Sequence, residues 1–128
     1  VEGMAEALRL MMTNLADHAI RYTPEGGRIE ISVRLDGRRA LVRVADDGPG
    51  IAPEERERVF ERFYRGLGTK VQGTGLGLAI VKRIVDMHGG SIRVEDGFER
   101  EDAEGARGCG ACFAVGLPVS PDHEAARG

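Results

Sequence analysis

Apolar and polar residues follow two different periods along this chain, and the places where the period changes mark out its elements. In residues 4–22, Met4, Leu8, Met11, Met12, Leu15, Ala19 and Tyr22 recur mostly at spacings of three and four, the stripe of an amphipathic helix. Pro24 and the Gly26-Gly27 pair end it. From 28 to 35 the period drops to two (Arg-Ile-Glu-Ile-Ser-Val-Arg-Leu), so Ile29, Ile31, Val33 and Leu35 are expected to face a core from a strand. Asp36-Gly37 is a hairpin signal, and Ala40 to Ala45 returns as the partner strand.

A loop of Asp46-Asp47-Gly48-Pro49-Gly50 follows, and Pro53 suits the first turn of a short helix reaching about Phe63. Residues 64–77 read as a long flexible loop. A second helix is expected from about Leu76 to His88, with Leu78, Val81, Ile84 and Val85 inward and Gly89-Gly90 past its end. His88 suits the partial negative charge of that helix end. Ser91 to Glu95 reads as a strand, 96–108 as a charged, Gly-rich connection, and Ala111 to Leu117 as a last strand stopped by Pro118. Helix, hairpin, helix in that order implies an α+β fold of two layers, a mixed and mostly antiparallel sheet with helices on one face. A length of 128 residues is one domain, here 1–118, with a polar tail over 119–128 that is expected to be disordered. No sequence period repeats, which excludes a solenoid.

Composition narrows the function. Lys plus Arg at 18 against Asp plus Glu at 21 leaves a net charge of −3, not the basic excess of a dedicated nucleic-acid binder. No apolar run approaches the roughly 18–20 residues that cross a bilayer, and no signal-peptide pattern opens the chain. Two Cys without a secretory signal fit a reducing, cytoplasmic setting. The 19 Gly are about twice the usual share, and they gather around 48–50, 66–77 and 105–110 more closely than simple turns require.

Three groups of residues could carry chemistry. Asn14 and His18 lie one helical turn apart at the margin of the apolar stripe, so they either look into a groove or are a solvated Asn and a satisfied His. Asp46 closes a strand ahead of Gly48 and Gly50: either its carboxylate accepts from a ligand's amino group while the glycines let backbone approach a flat ring, or the segment is an Asx turn. Gly73-Thr74-Gly75-Leu76-Gly77-Leu78 sits at a loop-to-helix junction, a phosphate site by its free N–H groups or a plain hinge. It matches neither the dinucleotide-binding fingerprint nor a P-loop. Cys109 and Cys112 lack a second Cys pair and, three apart in a strand, point to opposite faces. His123 lies in the tail.

In this order, the pieces resemble the catalytic ATP-binding domain of bacterial sensor histidine kinases, in the ATPase superfamily shared with DNA gyrase, the mismatch-repair protein MutL and the ninety-kilodalton heat-shock chaperones. Asn14 to Pro24 is similar to the asparagine box, Asp46 to Ile51 to the first glycine box, Phe60-Glu-Arg-Phe63-Tyr64-Arg65 to the phenylalanine box, and Gly73 to Leu78 to the second glycine box. Gly108 to Phe113 is a looser match to the last box. The resemblance implies a Bergerat-type fold that binds ATP and Mg²⁺. Asp46 would accept from the adenine amine, Tyr22 would stack on the purine, and Ile51 and Leu78 would wall the pocket. Arg21, with Arg65 or Lys70, would meet the phosphates beside the N–H groups around Gly75 and Gly77. Asn14 would hold Mg²⁺, and Asn14 and Arg65 would be the catalytic residues. Tyr64 would join the nucleotide site from the phenylalanine box, and residues 64–74 would form a lid.

The resemblance also implies partners. The γ-phosphate would pass to a histidine on a separate helical-hairpin domain of the same or a partner kinase, and from there to a response regulator. No such hairpin fits in this chain, and the family's usual first strand, upstream of the first helix, is also expected to be missing. Any inner-membrane anchor of the parent protein would lie outside this domain, which would itself touch no membrane. Two positions depart from the pattern: Met4 replaces a common Asp, and His18 replaces a second Asn that is the more constant Mg²⁺ ligand. Imidazole is a poor match for so hard a cation. His18 therefore leaves open a kinase in which Asn14 and water suffice while His18 either ligates Mg²⁺ or merely packs, or a degenerate binding or interaction module in which metal binding is impaired and activity is weak or absent. A serine kinase of the anti-sigma-factor type is a further alternative; the phenylalanine box and long lid favour the histidine-kinase branch.

Overall fold

The computed structural model describes residues 2–23, 25–61, 77–101, 104–105 and 107–118. Helix α1 (Glu2–Tyr22) is followed by strands β1 (Ile29–Asp36) and β2 (Arg39–Asp46), helix α2 (Gly77–Met87), and strands β3 (Ser91–Glu101) and β4 (Arg107–Pro118). The four strands form one sheet in the order β1-β2-β4-β3, antiparallel at every described pairing. The two helices pack on each other, α1 against β2 and α2 against β3. The result is a mixed α+β fold, as the order of elements implies.

The core lies between these layers. From α1 it takes Met11, Leu15 and Ala19, and from β2 Val42 and Val44. Leu78, Val81, Ile84 and Val85 come from α2, and Phe113, Val115 and Leu117 from β4. The inward residues of α2 are the four that its periodicity selects. His88 Nδ1 lies 2.7 Å from the Ile84 carbonyl oxygen at the end of the same helix, where Gly89 adopts the left-handed conformation (φ 70°).

Three local expectations are corrected. Ile29, Ile31, Val33 and Leu35 do not face a core: they are 37, 46, 63 and 59% exposed. They do share one face of β1, opposite Asp46, Val44, Val42 and Ala40 of β2. However, β1 is the edge of the sheet, and the helices lie over the strands further in. Second, the stretch after Pro53 is not one short helix but two 3₁₀ turns, Pro53–Glu55 and Arg58–Phe60. Third, most of 96–108 is strand and not connection. The β3–β4 ladder runs on past an irregularity between Asp96 and Glu99 to the pair Glu101 and Arg107. A bulge absorbs the break in alternation that reads as a loop in the sequence.

Leu15 is fully buried and Val33 is not, and this sets their costs apart. Leu15→Ala is expected to lower stability by about 2–5 kcal/mol, whereas Val33→Thr should stay within about 0.5 kcal/mol. Urea denaturation of the two variants checks both.

Candidate nucleotide-binding site

The site is built around the end of β2. Asp46 is 3% exposed, and its Oδ1 accepts the backbone N–H of Gly48 at 2.9 Å and that of Ala111, on β4, at 3.1 Å. Burial is the main influence on its pKa and raises it above the usual carboxylate value, while the two N–H bonds pull the other way. Glycines make this packing possible. A side chain at Gly110 would meet the Asp46 main chain, and one at Gly48 would meet the Tyr22 carbonyl. The next residue fixes the strand end: the Arg28 N–H donates to Asp47 Oδ1 at 2.8 Å, and the Asp47 N–H donates to the Arg28 carbonyl at 3.1 Å. Further on, Arg56 donates from Nε to the Ile51 carbonyl at 2.9 Å and from Nη2 to Asp96 at 2.6 Å, bracing the loop against β3.

Helix α1 supplies the second wall. Asn14, His18 and Tyr22 are spaced by four residues and lie on one side of the helix. The His18 ring stacks on Tyr22 at 4.5 Å between centroids and meets the edge of Phe113 at 5.0 Å. Both its ring nitrogens are buried without a hydrogen-bond partner. Desolvation, with a smaller effect from the Arg21 charge, lowers its pKa from 6.5 to about 4, so the ring is neutral at pH 7. Asn14 is turned elsewhere. Its Nδ2 donates to the Leu10 carbonyl at 2.9 Å, and its Oδ1 lies beside Gly77 at the start of α2.

His18, Tyr22, Asp46, Gly50 and Ile51 therefore line one cavity, together with Pro49 and Ala111. Gly48 adjoins it through its bond to Asp46. Leu78 is buried in the core, Arg21 is exposed on α1, and Gly77 pairs in space with Asn14. The expectations for Tyr64, Arg65, Lys70, Gly73, Thr74, Gly75, Leu76, the lid and the tail fall outside the described residues. Among the described residues, no group of three His, Cys, Asp or Glu side chains could hold a metal, and no helix is long and apolar enough to cross a membrane. Cys109 and Cys112 are free thiols.

Pro49, Ala111 and Phe113 fall within segments matched to the first glycine box and the last box, but sequence reasoning gave none of them a role at the site. The Ala111 N–H reaches Asp46 across 65 residues of sequence, and only the β2–β4 register, which sets Ala45 opposite Cys112, brings them together.

With this geometry the family can be stated. The chain belongs to the histidine kinase-, DNA gyrase B- and HSP90-like ATPases, whose family model matches residues 3–121. Within that family it is a catalytic domain of the sensor-histidine-kinase type. It is 48% identical over 105 residues to sensor protein kinase PmrB of Pseudomonas aeruginosa, covering 81% of this chain and 22% of PmrB. It matches the solved structure of the mycobacterial sensor histidine kinase MprB with a TM-score of 0.72 and 36% identity, covering 91% of this chain and 72% of that one. It also matches full-length ShkA in complex with AMPPNP, with a TM-score of 0.68 and 38% identity over 89% of this chain and 22% of the ShkA chain. The chain thus spans little more than a fifth of the length of PmrB.

Two outcomes follow from the site's packing. Gly110→Ala forces a methyl group onto the Asp46 main chain and should cost about 1–3 kcal/mol, read by thermal or urea denaturation. The depressed His18 pKa makes the native state lose stability as pH falls from about 6.5 to about 4, because the unfolded chain takes up a proton there that the folded chain does not. His18→Phe removes that component. The difference between parent and variant should change by up to about 1.4 kcal/mol per pH unit across this window.

Proposed function

We propose that this domain binds ATP between the end of β2 and α1 and donates the γ-phosphate to a histidine on a separate helical-hairpin domain, in a phosphorelay that ends on a response regulator. The observation that carries the reading is Asp46: a buried carboxylate whose Oδ1 is held by two N–H groups, in a cavity shared with the ring of Tyr22. A carboxylate fixed in this way accepts from an exocyclic amine and rejects a carbonyl at the same place, which selects adenine over guanine. A hydrogen bond to a charged group of this kind is worth roughly 1.5–3 kcal/mol. Tyr22 supplies the stacking face, worth roughly 1–3 kcal/mol by analogy with base stacking on aromatic side chains. The structure of full-length ShkA, to which this chain is similar, is a complex with the ATP analogue AMPPNP, which supports the same choice of ligand.

The residues at the α2 end suit a metal in part. Asn14 Oδ1 is an amide oxygen whose own NH₂ group is tied to Leu10, and it lies by the start of α2, so it fits a hard cation that prefers oxygen ligands. His18 does not fit: its nitrogens are enclosed among aromatic rings, where a cation that keeps several waters has no room. Mg²⁺, when bound, neutralises charge on the triphosphate. Asn14 orients that end, Asp46 and Tyr22 orient the base, and Arg21, with Arg65 or Lys70, would meet the phosphates. Catalysis is then positioning and charge neutralisation, as in phosphoryl transfer generally. The related kinases lend no support to a serine kinase or to a silent binding module.

Asp46→Ala is expected to weaken ATP binding at least tenfold while leaving the far-ultraviolet circular dichroism spectrum and the cooperative melt in place; unchanged affinity by calorimetry would refute the adenine contact. Mixing the chain with a matching hairpin domain and γ-labelled ATP should place acid-labile, base-stable label on the hairpin's histidine. Binding without transfer would instead favour a module that only holds nucleotide.

A further inference from the structure

His18 stands where the histidine-kinase pattern has an asparagine, and its surroundings are not those of a metal ligand. The ring is held flat against Tyr22 and edge-on to Phe113, on the cavity wall that also carries Asp46. Neutral imidazole carries one N–H donor and one lone-pair acceptor. Both are buried here with no partner, an arrangement that costs free energy unless a ligand supplies the missing bonds. The cavity of about 10 Å³ has room for about one water, so a base that enters must part these walls and expose the imidazole as it does so. Asn14, one turn back, is instead beside Gly77, so the two residues serve different ends of the site.

Asp46 brings an acceptor to the base, and His18 can bring a donor beside it. Adenine offers the complement, an amine flanked on either side by a ring nitrogen that accepts. Resting on the ATP reading above, we propose that His18 is a second base-reading residue: its ring N–H donates to the adenine ring nitrogen next to the amine bound by Asp46, and His18 holds no metal. The substitution of His for Asn therefore moves this position from the metal end of the site to the base end.

The test is calorimetric titration of the full chain with ATP and with two analogues that carry C–H in place of N1 or of N7 of the base, each with and without Mg²⁺. Parent, His18→Phe and Asp46→Ala are compared. One analogue should bind the parent roughly 3–10-fold more weakly than ATP, and His18→Phe should erase that difference. The loss of ATP affinity in His18→Phe should be the same factor with and without Mg²⁺. Analogue penalties that are equal in parent and variant, or a loss seen only with Mg²⁺, would overturn the assignment. Asp46→Ala and the parent separate the two levels. If the parent shows no ATP binding, the ATP reading itself fails. If Asp46→Ala keeps the parent's affinity, the placement of the base against Asp46 fails, and the His18 assignment with it. If Asp46→Ala loses affinity while His18→Phe changes nothing, only the role of His18 falls. Phe keeps a flat ring and removes two unpaired polar atoms, so the variant should melt no lower than the parent at pH 7. His18→Leu, read in the same way, replaces it if Phe is not accommodated.

Discussion

Everything at this site depends on one carboxylate oxygen. Asp46 Oδ1 takes its two N–H bonds from two different segments, one from the loop that follows β2 and one from β4. The second bond exists only because β2 and β4 are in register and because Gly110 lets the strands approach. Core packing therefore reaches the carboxylate proposed to meet the ligand. Val44 and Phe113 face each other across the same two strands, and both are fully buried, so the apolar layer holds the frame in which the carboxylate is aimed. Burial also makes the free ionised carboxylate costly, and a ligand amine that pairs with it offsets that cost.

In the proposed complex, helix α1 would work as a ruler along the nucleotide. Its rise of about 1.5 Å per residue spaces Tyr22, His18 and Asn14 at about 6 Å intervals. Tyr22 and His18 meet the aromatic and carboxylate end, while Asn14 meets the first turn of α2. The helix packs on α2 and on β2, so the two ends of the site are fixed relative to each other by the same contacts that close the core. An ATPase built this way needs few residues of its own chemistry, because placement does most of the task.

Much of this was legible in the sequence, and the failures have physical causes. The stripe on α2 selected its four buried residues because a helix with one wet face records its orientation every turn. Asp46, Tyr22, His18, Gly50 and Ile51 could be gathered because box order carries spatial information that single residues lack. Strand β1 misled because alternation reports that one face is apolar and not whether anything covers it. The β3–β4 extension was hidden by charge and glycine, which read as loop, whereas the ladder tolerates both around its irregularity. Ala111 lies in the segment that loosely matches the last box, but its contact with Asp46 could not be read, since a backbone N–H has no sequence identity and its position depends on register.

The exposure of β1 bears on how the domain behaves in concentrated solution. Among the described residues, the eight of β1 stand at a sheet edge with a row of backbone groups open to another strand, and four aliphatic side chains are exposed beside them. Such edges invite association between chains unless charge opposes it. The charges on the other face of the same strand are Glu30, Arg34 and Asp36, and Glu30 is paired with Arg28 at 3.0 Å. With Arg28 they sum to no net charge, so they offer little repulsion, and the apolar row is left to set how this edge meets another chain.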